Sequence, residues 1–219
     1  MIALGVLVSG SGSNLQAILD SVRSGTLDAR VAVVVSNTPG VKGVERARAA
    51  GVPTHVIDHR QYPERRDFDG AVVDVLRAAG VDVVVLAGFM RVVTDVLLDA
   101  FPGRVVNIHP ALLPSFPGLH AQKQAVLAGV RVSGCTVHFV DGGTDTGPII
   151  AQAVVPVLVD DDESSLGARI LDEEHILLPR VLQWIAEGRV AIVPGGAPDG
   201  KRRVIVHGTS TAFGLKGSE

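Results

Sequence analysis

The sequence has one cysteine, Cys135, among its 219 residues, so no internal disulfide framework can stabilise it. No apolar run approaches the roughly 18 residues that can cross a membrane. The apolar N-terminus lacks the basic lead-in and the small-residue cleavage site of a secretory signal. The formal net charge of −3 gives no long-range attraction to nucleic acid or to anionic lipid. These absences predict a soluble, cytoplasmic protein whose partners are small molecules, with no nucleic acid and no membrane among them.

Short apolar runs alternate with helix-like stretches, and hydrophobic residues make up 47% of the chain. Ile2–Val8 and Val81–Ala87 are continuous apolar runs, which are typical of strands buried on both faces. Stretches with helical spacing separate such runs, and this alternation predicts a parallel sheet with helical crossovers. The other strands predicted in this half are Val31–Ser36, His55–Ile57 and Arg104–His109.

The second half of the chain predicts a change of topology. Cys135–Val140 and Ile149–Val159 are strand-like, and the loop DGGTDTGP between them is too short for a helical crossover. We therefore expect an antiparallel hairpin, followed by a long helix over residues 164–187 that contains Pro179. The sequence predicts an α/β fold. We expect a single Rossmann-like domain over residues 1–190, in which helices flank a mostly parallel sheet. The antiparallel hairpin makes this sheet mixed. A C-terminal strand and partly ordered tail follow at residues 191–219.

The segment SGSGSN links the first strand to the first helix and predicts a monophosphate site. Gly10 and Gly12 let backbone N–H groups approach an anion at a helix N-terminus, where Ser13 and Asn14 add side-chain donors. The Lys-Ser/Thr ending of a Walker loop is absent. A dinucleotide fingerprint is incomplete, because Leu15 replaces the third glycine and no convincing ribose-binding acid follows the second strand, which ends in Ser36-Asn37. The alternative is a tight turn capped by Ser13 or Asn14.

Asn107 and His109 are two residues apart on the fifth strand, so their side chains point to the same face. Pro110 follows, which places the pair at the carboxyl end of the strand, where open α/β sheets bind ligands. An amide donor beside an imidazole suits a reaction that develops negative charge on a carbonyl oxygen. The alternative is a hydrogen-bonded structural histidine. The proline-rich segment that follows predicts a rigid, shaped loop.

Asp141 and Asp145 lie in the hairpin loop DGGTDTGP, where Asp and Gly are ordinary turn residues. A functional interpretation requires one carboxylate to reach His109, and Asp145 is the candidate. That contact would favour the protonated imidazole and orient the ring. A metal site is not expected, because no His/Cys or Glu/His set has ligand spacing.

Five segments taken together resemble the folate-dependent formyltransferases, and the phosphoribosylglycinamide formyltransferase group in particular. The resemblance covers about residues 1–189, and its segments are SGSGSNLQAI, VVVLAGFMR, NIHPALLPSFPGLHA, DGGTDTGPII and EEHILLPRVL. It implies transfer of a formyl group from 10-formyltetrahydrofolate, a dissociable cosubstrate, to the amino group of glycinamide ribonucleotide in purine biosynthesis. No metal is implied.

The resemblance also implies residue roles. Asn107 and His109 would stabilise the oxyanion, and Asp145 would pair with His109 and assist proton transfer. The ribonucleotide phosphate would contact Gly12, Ser13 and Asn14, and Glu174 would bind the ribose hydroxyls. The residues implied to contact the folate are Arg65, Phe89, Met90, Arg91, Val92, Val93, Asn107, Asp141, Gly142, Gly143, Thr144 and Asp145.

Several alternatives stay open for single residues. Arg66 is a rival of Arg65 for the folate contact. Glu174 lies on a predicted helix, where an acid is more often solvated. The segment FMR, Phe89 to Arg91, can consist of residues that only pack at the end of a strand. Leu171 departs from the pattern, since relatives can carry a polar residue there near the substrate.

Other functions are disfavoured. Formyltetrahydrofolate hydrolases carry an N-terminal regulatory domain, for which a first strand at Ile2 leaves no room. Methionyl-tRNA formyltransferases add a C-terminal tRNA-binding domain, and only a short tail is expected after Glu187. The phosphate loop disfavours sugar-nucleotide formyltransferases, and the Asn-His-Asp set disfavours a non-catalytic nucleotide-binding module. The sequence allows a monomer or a homodimer.

Overall fold

The computed structural model describes residues 1–195 and 202–208. The strands are β1 Ile2–Val8, β2 Ala29–Ser36, β3 Thr54–Val56, β4 Val83–Leu86, β5 Val105–His109, β6 Val132–Phe139, β7 Ile149–Pro156, β8 Val190–Val193 and β9 Arg203–Val206. The helices are α1 Ser13–Ser24, α2 Lys42–Ala49, α3 Arg65–Ala78, α4 Asp95–Ala100, α5 Ala121–Ala128 and α6 Glu163–Ala186. No helix within these described ranges has the length and apolar character needed to cross a membrane.

Strands β1 to β7 form one sheet in the order β3-β2-β1-β4-β5-β6-β7. The pairs β1–β2, β1–β4, β2–β3 and β4–β5 are parallel, whereas β6 and β7 are antiparallel. Strands β8 and β9 form a separate antiparallel pair. The prediction of an α/β fold with a mostly parallel, mixed sheet is therefore confirmed. The chain divides into two compact units, Met1–Asn107 and Ile108–Glu219, and the single domain over residues 1–190 stays a prediction.

The first unit is built around β1, in which Ala3–Val8 are all buried. Strand β4 is shorter than the apolar run that predicted it; just before it, the Asp82 N–H donates to the Ala3 carbonyl and the Asp82 carboxylate accepts from the Ala3 N–H. Gly5 allows α3 to approach, since a Cβ at this position would lie 2.4 Å from Leu76 Cδ2. The strand is thus buried on both faces, as its continuous apolar run predicts.

The second unit contains the predicted hairpin and the long helix. Strand β6 begins at Val132, three residues before the predicted start at Cys135. The Cys135 side chain is 0% exposed, and burial raises the pKa of its thiol well above the usual range. Helix α6 begins with a capping box, in which Asp162 accepts from the backbone of Ser165 and the Ser165 side chain bonds the Asp162 backbone. Strand β9 was not predicted, and it extends ordered structure into the C-terminal segment.

Candidate active site

The glycine-rich loop after β1 lines a pocket in the first unit. Gly12 has φ 67° and is the N-cap of α1, so neither Ser13 nor Asn14 is the cap that the alternative interpretation requires. The pocket has a volume of about 170 Å³ and is lined by Ser9–Asn14 together with Ala87, Gly88 and Met90. It lies where β1 pairs with both β2 and β4 and the strand order changes direction, which is where open α/β sheets bind ligands. Phosphate binding by Gly12, Ser13 and Asn14 stays a prediction.

The segment Phe89–Val93 follows β4 and presents only some of its side chains to solvent. Met90 and Val92 are 65% and 49% exposed, whereas Phe89 and Val93 are buried. The Phe89 ring stacks on Phe68 with centroids 6.4 Å apart. The side chains of Phe89 and Val93 are therefore packed inside the protein, whereas those of Met90 and Val92 are open to solvent, and contact of this segment with a ligand stays a prediction. Arg91 is the remaining member, and its guanidinium lies 4.7 Å from the Phe68 ring centroid.

Two polar side chains anchor this segment. Ser9 Oγ accepts a hydrogen bond from the Met90 N–H at 2.8 Å and donates one to Asn37 Oδ1 at 2.7 Å. Asp69 Oδ2 accepts from both the backbone N–H of Thr94, at 2.5 Å, and its hydroxyl, at 2.8 Å. Sequence reasoning missed Asp69, because an acid on a helix carries no local signal that it is buried. The segment is therefore held at both ends.

The neighbouring arginines on α3 differ in their partners. Arg66 forms an ion pair with Asp95. Arg65 is exposed and has no ion-pair partner among the residues that the structure describes. The structure thus distinguishes the two rivals by their ion pairing, and contact of either with a ligand stays a prediction.

We expect Asp69→Asn to change how the free energy of unfolding depends on pH. Burial raises the pKa of Asp69, against the hydrogen bonds from Thr94 and the nearby Arg91 and Arg65. The folded protein therefore binds this proton more tightly than the unfolded chain, and the Asp69 contribution to stability falls as the pH rises through the folded pKa. Both Thr94 bonds end on one oxygen, so an asparagine carbonyl can accept both.

Urea unfolding of wild type and Asp69→Asn between pH 4 and pH 8 measures the effect. The variant should gain stability relative to wild type as the pH rises. Asp67→Asn, on the same helix and exposed, is the control. A difference that is constant across the pH range would contradict the prediction.

His109 ends β5 and is 5% exposed. Its Nδ1 lies 3.3 Å from Asp145 Oδ2, and its Nε2 lies 2.9 Å from the Phe116 carbonyl oxygen. Because both partners are acceptors, only the doubly protonated ring donates to both. The structure thus brings together His109 and Asp145, which the sequence separates by a helix and a strand. Asn107 lies two residues earlier on β5, paired with Leu86 of β4, and is half-buried.

Asp145 is held in a left-handed conformation, φ 55°, at the centre of a polar cluster. Its Oδ2 also accepts from the Gly118 N–H at 2.8 Å. Its Oδ1 lies 3.7 Å from Nε2 of His138, whose Nδ1 is 2.9 Å from the Phe139 carbonyl. Burial lowers the pKa of His138, so this ring favours the neutral form beside the carboxylate. The arrangement places the Asp145 carboxylate beside Nδ1 of His109 and so orients the ring.

Sequence reasoning missed His138. It is 2% exposed and lies within an otherwise apolar stretch of β6. A histidine inside a buried strand is a usable signal, since a buried imidazole needs a polar partner.

The loop after His109 is tied down by two side chains of the hairpin. Thr136 Oγ1 donates to the Ala111 carbonyl at 2.6 Å and accepts from the Leu113 N–H at 3.0 Å. Gln152 Nε2 donates to the Leu113 carbonyl at 2.9 Å. These bonds confirm the expectation of a shaped loop, because both ends of its first turn are bonded to buried strands.

The hairpin loop between β6 and β7 has its own turn chemistry. Asp141 Oδ1 accepts from the Gly143 N–H at 3.1 Å and from the Thr146 hydroxyl at 2.6 Å. Gly142, Gly143 and Thr144 are exposed, so they are accessible to a ligand. A cavity of about 900 Å³ in the second unit is lined by Leu113, Pro114, Pro117, Asp141, Thr144–Ile149, Arg202, Arg203 and Val204.

Glu174 is 6% exposed on α6, so it is not the solvated acid that the alternative interpretation describes. Its charge is one of the causes that raise the pKa of Cys135. Leu171, which departs from the family pattern, is half-buried one turn earlier. Within residues 1–195 and 202–208, no group of three or more His, Cys, Asp and Glu side chains is arranged to hold a metal ion.

Comparison with known proteins gives consistent relatives. Residues 3–182 match the family described as formyl transferase. The phosphoribosylglycinamide formyltransferase of Escherichia coli is 42% identical over 198 residues, which cover 90% of this chain and 93% of that protein. A trifunctional purine biosynthetic protein of Drosophila melanogaster is 52% identical over 191 residues, or 86% of this chain, but the match spans only 14% of its length. A solved structure of glycinamide ribonucleotide transformylase 1 from Symbiobacterium toebii is 54% identical, with a TM-score of 0.89 and 94% of each chain covered.

Proposed function

Because the chain belongs to the formyl transferase family, we propose that it transfers the formyl group of 10-formyltetrahydrofolate to the amino group of glycinamide ribonucleotide. The products are formylglycinamide ribonucleotide and tetrahydrofolate, in purine biosynthesis. The observation that supports this most directly is the buried His109–Asp145 pair, 3.3 Å apart, beside Asn107 on β5. We place the enzyme in the cytoplasm, as a monomer or homodimer.

In the proposed reaction the substrate amine attacks the formyl carbon, and the carbonyl oxygen takes up negative charge. Asn107 donates a hydrogen bond to that oxygen, and the protonated His109 donates a second from Nε2. In the structure this nitrogen lies 2.9 Å from the Phe116 carbonyl oxygen. In the reaction the oxyanion takes the place of that carbonyl as the acceptor, and a charged acceptor forms the stronger hydrogen bond.

Asp145 has two tasks in this proposal. Its carboxylate stabilises the His109 imidazolium and sets the plane of the ring. When the bond between the formyl carbon and N10 of the folate breaks, the proton lost by the amine must reach N10. Asp145, half-buried at the edge of the hairpin loop, is the group we assign to relay it.

The binding residues divide between the two substrates. The loop amides and the polar side chains of Gly12, Ser13 and Asn14 hold the phosphate, and Glu174 accepts hydrogen bonds from the ribose hydroxyls. Leu171 offers that ribose no polar contact. The folate supplies the formyl group and presents an aromatic body with a terminal carboxylate. These groups fit the exposed Met90 and Val92 and Arg65, which has no ion-pair partner among the described residues. We assign Phe89, Arg91, Val93 and residues 141–145 to the same ligand.

A release assay tests this function. The protein is given 10-formyltetrahydrofolate with and without glycinamide ribonucleotide, and tetrahydrofolate release is followed. We expect release to require the ribonucleotide and to yield its formylated product in equal amount. Release at the same rate without ribonucleotide would identify a hydrolase instead.

A further inference from the structure

Three consecutive carbonyl groups of the glycine-rich loop accept hydrogen bonds from residues that do not line the pocket. The Gly10 carbonyl accepts from the Gly43 N–H at 3.0 Å. The Ser11 carbonyl accepts from Nε of Arg46 at 3.0 Å. The Gly12 carbonyl accepts from the Gln16 N–H at 2.9 Å. Helix α2 therefore supplies two of the three donors, and one of these is a side chain.

These bonds fix the direction of the loop N–H groups. In a trans peptide the carbonyl and the next residue's N–H point in opposite directions, and the peptide bonds here are trans. The N–H groups of Ser11, Gly12 and Ser13 are therefore turned toward the opposite side from the bonded carbonyls. Within the described part of the chain these three groups donate no hydrogen bond. Successive backbone N–H groups around a residue in the left-handed conformation, here Gly12 at φ 67°, form an anion-binding concavity.

The backbone of α2 lies against the loop too closely for any side chain to intervene. A Cβ on Gly12 would lie 2.5 Å from the Gly43 Cα. Arg46 lies one turn further along α2 and is half-buried. Two of its side-chain N–H groups donate hydrogen bonds to residues 11 and 16. Its Nη1 bonds Gln16 Oε1 at 3.1 Å on the first turn of α1, so the guanidinium connects the loop to the helix that follows it.

We propose that Arg46 is a positioning residue for the ribonucleotide phosphate. It does not contact the ligand; it holds the Ser11 carbonyl away from the pocket, so that the Gly12 N–H is aimed into it before the substrate arrives. Without Arg46 this peptide can rotate, and binding must then include the entropy cost of ordering it. The inference rests on the proposed function, because it presupposes that the loop binds the substrate phosphate.

Lysine and methionine variants of Arg46 and of Arg48 separate the effect of the Arg46 hydrogen bonds from the effect of its charge. Arg48, also on α2, bonds the Thr54 hydroxyl at 3.3 Å and no residue of the glycine-rich loop within the described part of the chain, so Arg48→Met makes the same charge change without touching the loop. We expect Arg46→Met to raise the KM for the ribonucleotide about tenfold. Its kcat and its KM for the folate should stay within about twofold of wild type. Arg46→Lys keeps the charge but loses the second donor, and should raise the same KM a few-fold. Arg48→Met and Arg48→Lys should match wild type.

Equal ribonucleotide KM values for Arg46→Lys, Arg46→Met and wild type would overturn the proposal. An equal rise in the Arg46 and Arg48 variants would do so too, because it would assign the effect to net charge. If Arg46→Met does not fold, the lysine pair alone decides the question, since it leaves the charge of α2 unchanged.

A titration with inorganic phosphate distinguishes a failure of the role proposed for Arg46 from a failure of the proposed function on which it rests. The backbone amide signals of Ser11, Gly12 and Ser13 are followed by NMR in wild type and in Arg46→Met. We expect phosphate to shift these signals in wild type and to bind about tenfold more weakly to the variant. Equal affinity would overturn the role of Arg46 alone. No response in wild type would instead remove the loop from the proposed substrate site.

Discussion

Replacing His109 by alanine should lower kcat by a factor of roughly 10² or more, as expected when a proton donor to a developing oxyanion is lost. The imidazole is buried, and Asp145 and the Phe116 carbonyl orient it through its two ring nitrogens. Alanine offers no donor at this position, and water cannot reproduce a fixed direction. The KM values should change much less, because the interaction forms in the transition state. Steady-state kinetics with both substrates measures the effect.

His55→Ala is the control, because His55 is exposed on β3 and has no part in the proposed chemistry. It should retain wild-type turnover. Circular dichroism before the assay shows whether the His109 variant is folded. A folded His109→Ala protein with near-normal kcat would remove His109 from the mechanism.

The second large effect is expected from Gly147→Ala, at the end of the loop that carries Asp145. A Cβ on Gly147 would lie 1.8 Å from the Phe139 carbonyl oxygen, where Phe139 and Pro148 close the hairpin. Backbone atoms cannot yield as a flexible side chain can, so the loop must move. We expect a loss of about 1–3 kcal/mol in the free energy of unfolding, typical of overpacking. We also expect a fall in kcat of at least about tenfold, because Asp145 moves with the loop.

Gly142→Ala provides the comparison within the same loop, since nothing lies within 4 Å of a Cβ added there. It should leave stability near wild type and, because Gly142 is assigned to the folate, it should act on the KM for the folate and not on kcat. Urea unfolding and kcat are measured for both variants. If the two alanines behave alike, the close contact with Phe139 does not hold Asp145 in place.

The fold was largely predictable because its signals are local. The apolar run Ile2–Val8 predicts a strand buried on both faces, and Ala3–Val8 are buried. The shortness of DGGTDTGP predicts an antiparallel pair, and β6 and β7 are antiparallel. Strand β9 escaped prediction although turn residues precede it, because its own sequence RVIV is only four residues long and is a weak strand signal.

The candidate site was predictable only in part, for a physical reason. Asn107 and His109 share a strand, so their spacing of two places both on one face. Asp69, Arg46 and His138 act through tertiary contacts, with Thr94, with Ser11 and with Asp145 respectively. Neither periodicity nor motif spacing encodes such partners, and for His138 the buried strand signals only that the imidazole needs a polar partner, without identifying it.

Cys135 makes the protein convenient for site-specific labelling. Its thiol is fully buried in β6 and its raised pKa leaves little thiolate, the form that reacts with maleimides. Because the sequence holds no other cysteine, one introduced at the exposed Thr144 would be the sole reactive thiol of the folded protein. A fluorophore attached there would follow the hairpin loop during turnover, and no native residue would first have to be removed.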